Sequence, residues 1–183
     1  VVDSNAPLPG PRKTVLPGVV GLSMNSGLGR RRVNASESEH EVLRDQARFC
    51  LLKTQLFTTT DGDQKQQDAF LKKVLRKFDV HVYEAGETII REDAEADQMY
   101  VLNRGKVAVL SGVQETLVAV LEGQGVFFGE MGVLGVKKRS ATVRASTSCH
   151  MFAFYIDVVM EALAEFPEQM AVFEEMAKKR LQK

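Results

Sequence analysis

Residues 127–143 read Phe-Phe-Gly-Glu-Met-Gly-Val-Leu-Gly-Val-Lys-Lys-Arg-Ser-Ala-Thr-Val, and three kinds of group that recognise anions and hydroxyls meet there. Gly129 lets a ligand approach the backbone closely. Residues 130–134 suit one helical turn, whose first N–H groups have no intrahelical partner and can face an anion. Arg139 offers a planar fork matched to phosphate oxygens. Glu130 offers a carboxylate that can accept from sugar hydroxyls. Together they describe a site for a ligand carrying both a hydroxyl and a phosphate. Taken alone, each charged residue reads more simply as part of a surface ion pair, worth about 0–1 kcal/mol. Their framing by Phe128-Gly129 and Ser140-Ala141-Thr142 is what favours a ligand.

The elements that must hold this stretch change period twice. Ser36-Glu37-Ser38-Glu39 has the hydroxyl and early acids of a helix start. Leu43, Ala47, Cys50 and Leu51 then repeat at helical spacing to about Thr54. A turn is expected at residues 58–63, and Phe70, Leu71, Val74, Leu75 and Phe78 mark one face of a second helix. From Asp79 to Phe154, short β-favouring runs (80–83, 88–90, 99–102, 107–110, 116–121, 141–145 and 150–154) alternate with glycine turns. That spacing indicates an antiparallel barrel or sandwich. Helical period returns after Ile156 with Val158, Val159, Ala162 and Leu163. Pro167 suits the first turn of a last helix carrying Met170, Phe173, Met176 and Ala177, which read as packing residues.

The 183 residues contain 24 basic and 24 acidic side chains, 44% hydrophobic residues and 26% charged ones. A balanced charge argues against a strongly basic nucleic-acid binder, and Lys137 and Lys138 read as a solvated turn. No apolar run reaches the roughly 20 residues that cross a bilayer. Cys50 and Cys149, with His40, His81 and His150, show no metal-ligand spacing. No nucleophile elbow or P-loop ending is present, so the expectation is a protein that is not an enzyme. Four of the five prolines (Pro7, Pro9, Pro11, Pro17) and five glycines crowd the first 29 residues, with no acid between Asp3 and Glu37. Residues 1–35 are therefore expected to be a flexible basic linker. The chain starts at Val1 and stops at Lys183 inside a helical pattern, as a piece of a longer protein would.

Phe128-Gly129-Glu130, followed nine positions after Glu130 by Arg139-Ser140-Ala141-Thr142, resembles the phosphate-binding cassette of cyclic nucleotide-binding domains. That superfamily includes cAMP- and cGMP-dependent kinase regulatory domains, cyclic nucleotide-gated and hyperpolarization-activated channels, and bacterial catabolite-activator-type regulators. The likeness extends over roughly residues 49–183. Residues 85–90 (Ala-Gly-Glu-Thr-Ile-Ile) resemble the family's first turn and second strand. Residues 97–102 (Asp-Gln-Met-Tyr-Val-Leu) with Gly105 resemble its third-strand signature. Residues 161–167 (Glu-Ala-Leu-Ala-Glu-Phe-Pro) resemble the helix junction of the channel branch. Asp93 and Ala96 depart from the pattern, standing where the family often has glycine, as does Gly132, where kinase-type sites have alanine.

The resemblance implies an α+β fold: an antiparallel, jelly-roll-like β-roll flanked by N-terminal helices and two C-terminal helices, with a short phosphate-binding helix. It implies a helical segment over 36–78, a roll over 79–155 with its cassette at 128–142, and hinge and lid helices over 156–183. The implied ligand is cAMP or cGMP, with no other cofactor and no metal. The implied site is Phe128, Gly129, Glu130, Met131, Gly132, Arg139, Ser140, Ala141 and Arg180. In it Glu130 accepts from the ribose 2′-hydroxyl, Arg139 pairs with the cyclic phosphate beside amides of Gly129, Gly132 and Ala141, Ser140 reaches toward the base, and Arg180 caps it. A catabolite-activator-type DNA reader would need a helix-turn-helix, for which too few residues follow Pro167. The implied role is a cytoplasmic sensor covalently attached to an ion channel or transporter, with no nucleic-acid partner and no membrane insertion by this segment. The alternative is a regulatory module for a protein kinase catalytic domain, because Arg31-Arg32-Val33-Asn34 resembles a kinase inhibitor segment with an unphosphorylatable Asn34. A third possibility is a degenerate scaffold that binds no nucleotide.

Overall fold

The computed structural model describes residues 31–32, 37–54, 56 and 64–181. The expected turn at residues 58–63 and nearly all of the expected linker lie outside them. Helix α1 (Glu37–Lys53) begins with Glu37 and Glu39 and ends with Lys53, charges that suit the two ends of its dipole. Its buried stripe is Ala47, Cys50 and Leu51. Helix α2 (Gln64–Val74) buries Phe70, Leu71 and Val74. Phe78 continues the apolar spacing of α2 but belongs to a strand, because the helix closes through Leu75 N–H on Leu71 O and Arg76 N–H on Lys73 O.

The described residues form nine strands. They are β1 (Arg31–Arg32), β2 (Phe78–Tyr83), β3 (Thr88–Ile90), β4 (Gln98–Arg104), β5 (Lys106–Ser111), β6 (Thr116–Glu122), β7 (Phe127–Phe128), β8 (Thr142–Ala145) and β9 (Cys149–Tyr155). They form two antiparallel sheets, ordered β1-β2-β9-β4-β7 and β3-β8-β5-β6, with no closed barrel among the described residues. Arg31 and Arg32, within the segment read as a linker, pair through their backbone with Val82 and His81.

Alternation along β4 and β9 divides the apolar residues between two cores. Met99, Val101, Phe152 and Phe154 join α1, α2 and the C-terminal helices in one cluster. Tyr100, Leu102, Met151 and Ala153 face Ile89, Ile90, Val107 and Val143 of the other sheet. Helix α3 (Ile156–Glu165) buries Ile156, Val158, Val159, Ala162 and Leu163 against the first cluster. It is tied to the α2 region by Lys73–Glu165 and by a forked Arg76–Glu161 pair at 2.7 Å. Helix α4 (Pro167–Leu181) opens on Pro167, as expected, since proline fits the first helical position, and buries Phe173. The expected α+β fold, an antiparallel roll preceded and followed in the chain by helices, is thus the fold observed.

Candidate functional site

The stretch 129–141 hangs between β7 and β8, and its placement begins at an aromatic stack. Phe128 pairs across β4 with Tyr100, their rings 5.3 Å apart and nearly parallel. The chain then turns at Gly129, at φ 76, a left-handed conformation that side chains rarely adopt. A Cβ there would stand 2.8 Å from Arg139 Nη1 and 3.3 Å from Gln98 O. Glycine is therefore required twice, for the turn and for the approach of the guanidinium.

A single 3-10 turn follows over Glu130–Gly132, with both end residues buried. Gly132 lies against α3: a Cβ on it would sit 2.3 Å from Ile156 Cδ1 and 2.9 Å from Ala96 Cβ. This explains glycine rather than alanine at 132 and puts the turn in direct mechanical contact with the first residue of α3. The far end of the stretch is stitched to the β3–β4 loop. Asp93 N–H donates to Arg139 O, Arg139 N–H to Ala94 O, and Ala96 N–H to Lys137 O, all at 2.9–3.0 Å. Asp93 itself takes φ 64, so an aspartate fills a left-handed position that glycine would fill without strain.

Arg139 is buried, and its charge is held by fixed oxygens. Nη1 donates to Gly129 O at 3.1 Å; Nη2 donates to Gln98 O at 2.6 Å and Asp97 Oδ1 at 3.3 Å. Its side chain is 6% exposed against 53% for Asp97, so the pair is one sunken cation and one solvated carboxylate. Gln98 is anchored in turn: its amide donates to Asp79 Oδ2, which also accepts from Tyr155 O–H at 2.7 Å. Tyr100 O–H donates to Gln98 Oε1, and His81 sits 3.9 Å from Asp79 with its other ring nitrogen facing Tyr83 O–H. Arg139 and Asp97, with Tyr83, Tyr100, Ile89 and Ile90, line a cavity of about 330 Å³. A guanidinium fixed at the edge of an aromatic and aliphatic cavity suits a ligand with an anionic end and a flat apolar end.

The structure thus brings Phe128, Gly129 and Arg139 together, with Glu130 buried one residue from the Gly129 carbonyl that Arg139 grips. Met131 and Ala141 are half-buried and Ser140 is exposed. Arg180 lies on α4 and its side chain is outside the described residues, as are Val33 and Asn34. Asp97 and Gln98 are the partners that sequence reasoning missed. The only signal was their place directly before the apolar run Met99-Tyr100-Val101-Leu102.

Elsewhere, burial pushes both the Cys50 and Cys149 thiols up, away from the reactive thiolate. Among the described residues no group of three His, Cys, Asp or Glu side chains could hold a metal ion, and no helix is long and apolar enough to cross a membrane.

Residues 80–166 match the sequence profile of the cyclic nucleotide-binding domain. Those residues are a cyclic nucleotide-binding domain. Relatives include the potassium/sodium hyperpolarization-activated cyclic nucleotide-gated channel 4 of Oryctolagus cuniculus, 32% identical over 142 residues that cover 77% of this chain. Channel 3 of Mus musculus is 32% identical over 116 residues, 63% of this chain. The matched stretches span only 11% and 14% of those relatives. Two solved structures share the fold: Thermus thermophilus catabolite activator protein (TM-score 0.57, 22% identity, 70% of this chain, 59% of that one) and the sensor domain of the transcriptional regulator DNR from Pseudomonas aeruginosa (TM-score 0.61, 18% identity, 74% and 94%). The resemblance read from residues 128–142 therefore identified the family, whose ligand class is the cyclic nucleotide. The matched residues run from Val80 within β2 to Phe166, between α3 and α4, so the profile takes in residues 128–142 and the whole of α3.

Proposed function

We propose that the chain is the cyclic nucleotide sensor of a larger ion channel or transporter, and that ligand binding at residues 128–141 is transmitted through α3 and α4. The observation that carries this reading is the buried Arg139, held between Gly129 O, Gln98 O and Asp97 at the edge of a cavity large enough for part of a nucleotide. Its fork meets the cyclic phosphate, with amides of Gly129, Gly132 and Ala141 completing the cradle. Glu130 accepts from the ribose 2′-hydroxyl, Ser140 and the flanking Phe128 and Met131 set the fit near the base, and Arg180 on α4 closes over it. Boundaries of 36–78, 79–155 and 156–183 for helical segment, roll and lid follow from the same reading.

Transmission rests on the contact between Gly132 and Ile156. Any shift of the 3-10 turn as phosphate engages pushes on the first residue of α3, because no slack exists between them. α4 supports such a rearrangement: Gln169 is buried and its Oε1 accepts no hydrogen bond, a defect that a moved α4 relieves. Ligand then shifts the balance between two helix positions by its differential affinity for them. The channel relatives and the residues 161–167 favour a channel or transporter as the attached effector.

Thermal unfolding of the whole chain with cAMP and, separately, cGMP tests the sensor. Ligand at about 100 times its dissociation constant stabilises by about 2.7 kcal/mol, a clear rise in Tm. A rise with either nucleotide, absent with 5′-AMP and 5′-GMP, is the expected result. An unchanged Tm with both cyclic nucleotides overturns it.

A further inference from the structure

Four of the eight large apolar side chains exposed in the described structure gather on one hairpin: Val113, Leu117, Val118 and Val120. Three of them lie on β6, the end strand of the four-stranded sheet. The other sheet ends are short, three residues in β3 and two each in β1 and β7, a length that discourages pairing with another chain. β6 has seven residues, Thr-Leu-Val-Ala-Val-Leu-Glu, with neither proline nor lysine along its edge. Its one irregularity is a bulge that leaves Val118 unopposed by β5, while residues 119–122 stay in regular register with Val109 to Lys106.

We propose that β6 is a self-association edge, which pairs antiparallel with β6 of a second copy of this chain about a two-fold axis at Ala119. The sequence is complementary to itself in that direction. Leu117 falls opposite Leu121, Val118 opposite Val120, and Ala119 opposite Ala119, where its small side chain lets the strands close. The strand's one charge, Glu122, falls opposite the Thr116 hydroxyl. Parallel pairing in register would set Glu122 beside its own copy and is disfavoured by that repulsion. Both copies use the same patch, so the contact closes on itself as a dimer. It joins two four-stranded sheets into one of eight strands, with the nucleotide site free on the cassette side of each copy.

Sedimentation velocity of the whole chain over a concentration series tests the edge. The expected species at high concentration is a dimer, and Val118→Lys and Val120→Lys each raise its dissociation constant about tenfold or more. Both positions are exposed, so both variants should melt as the parent does. Val113→Lys, on the same hairpin but off the strand, should leave the dimer intact. Ala119→Cys should form a disulfide-linked dimer on mild oxidation, while the buried Cys50 and Cys149 do not. A chain that stays monomeric throughout overturns the proposal, as does a dimer indifferent to lysine at 118 and 120. A monomer whose β6 amides are protected from hydrogen exchange also overturns it, because another segment of the chain then occupies the edge.

Discussion

The two faces of the β2–β9–β4 sheet use the same three strands for opposite purposes. Toward the helices, Phe78, Val80, Met99, Val101, Phe152 and Phe154 form an apolar surface, with Phe78 packed 5.9 Å from both Phe152 and Phe154. Toward the other sheet, Asp79, His81, Tyr83, Gln98, Tyr100 and Tyr155 carry a buried polar chain that ends on the oxygens gripping Arg139. A period of two makes this division possible at no cost in length. The helix face can slide or repack because apolar contacts are not directional. The polar face holds one geometry, because each buried donor or acceptor left unpaired is penalised by about 1–3 kcal/mol. The sheet is thus a partition: a hydrogen-bonded polar floor beneath Arg139 on one side and an apolar seat for the helices on the other.

The largest expected effect breaks the helix face alone. Phe152→Ala should cost about 3–5 kcal/mol of stability by urea unfolding, yet leave nucleotide affinity of the folded protein within about threefold of the parent. A tenfold loss of affinity would show that the two faces are not separable. Next comes Gly129→Ala, which combines left-handed strain with a clash against Arg139 Nη1. It should cost about 1–3 kcal/mol and weaken nucleotide binding, and an unchanged affinity would mean that the arginine is not the phosphate partner. Gln169→Met removes the unpaired acceptor on the helix side and should stabilise the described arrangement by about 1 kcal/mol while weakening ligand binding. Stabilisation without weaker binding would indicate that α4 does not move.

The smallest effect is a pH dependence at the end of the helix-side row. Burial, and then the Arg104 charge, hold His150 below the ordinary histidine value, against a weaker opposing pull from Glu84. A base with a depressed folded pKa contributes stability above its unfolded value of about 6.5, lost as pH falls through the folded one. Tm should therefore fall on acidification below about pH 6.5, and His150→Gln should flatten that part of the profile. An identical profile in the variant would place the titrating group elsewhere.

Much of this was legible in the sequence. Alternating apolar residues marked β2 to β6, β8 and β9 within a residue or two, and the family was readable from Phe128-Gly129-Glu130 with Arg139-Ser140-Ala141-Thr142. β1 and β7 were invisible because two residues cannot display a period. The start of α2 was hidden in the polar run Gln64–Gln67, which offers no apolar stripe. The oxygens that hold Arg139 were hidden for a different reason. Two of the three belong to backbone carbonyls, one of them 41 residues away, and a carbonyl leaves no mark on residue type. For the same reason Arg139 taken alone suggested a surface ion pair, whereas its side chain is nearly enclosed.

The most direct measurement is calorimetric titration of cAMP and cGMP into the parent chain and into Arg139→Gln, with the fold of each verified by its melting transition. The expected result is saturable binding to the parent and a loss of at least about a hundredfold in the variant, on the scale of a deleted charged hydrogen-bond pair. Equal binding by parent and variant, or no binding by a folded parent, would contradict it.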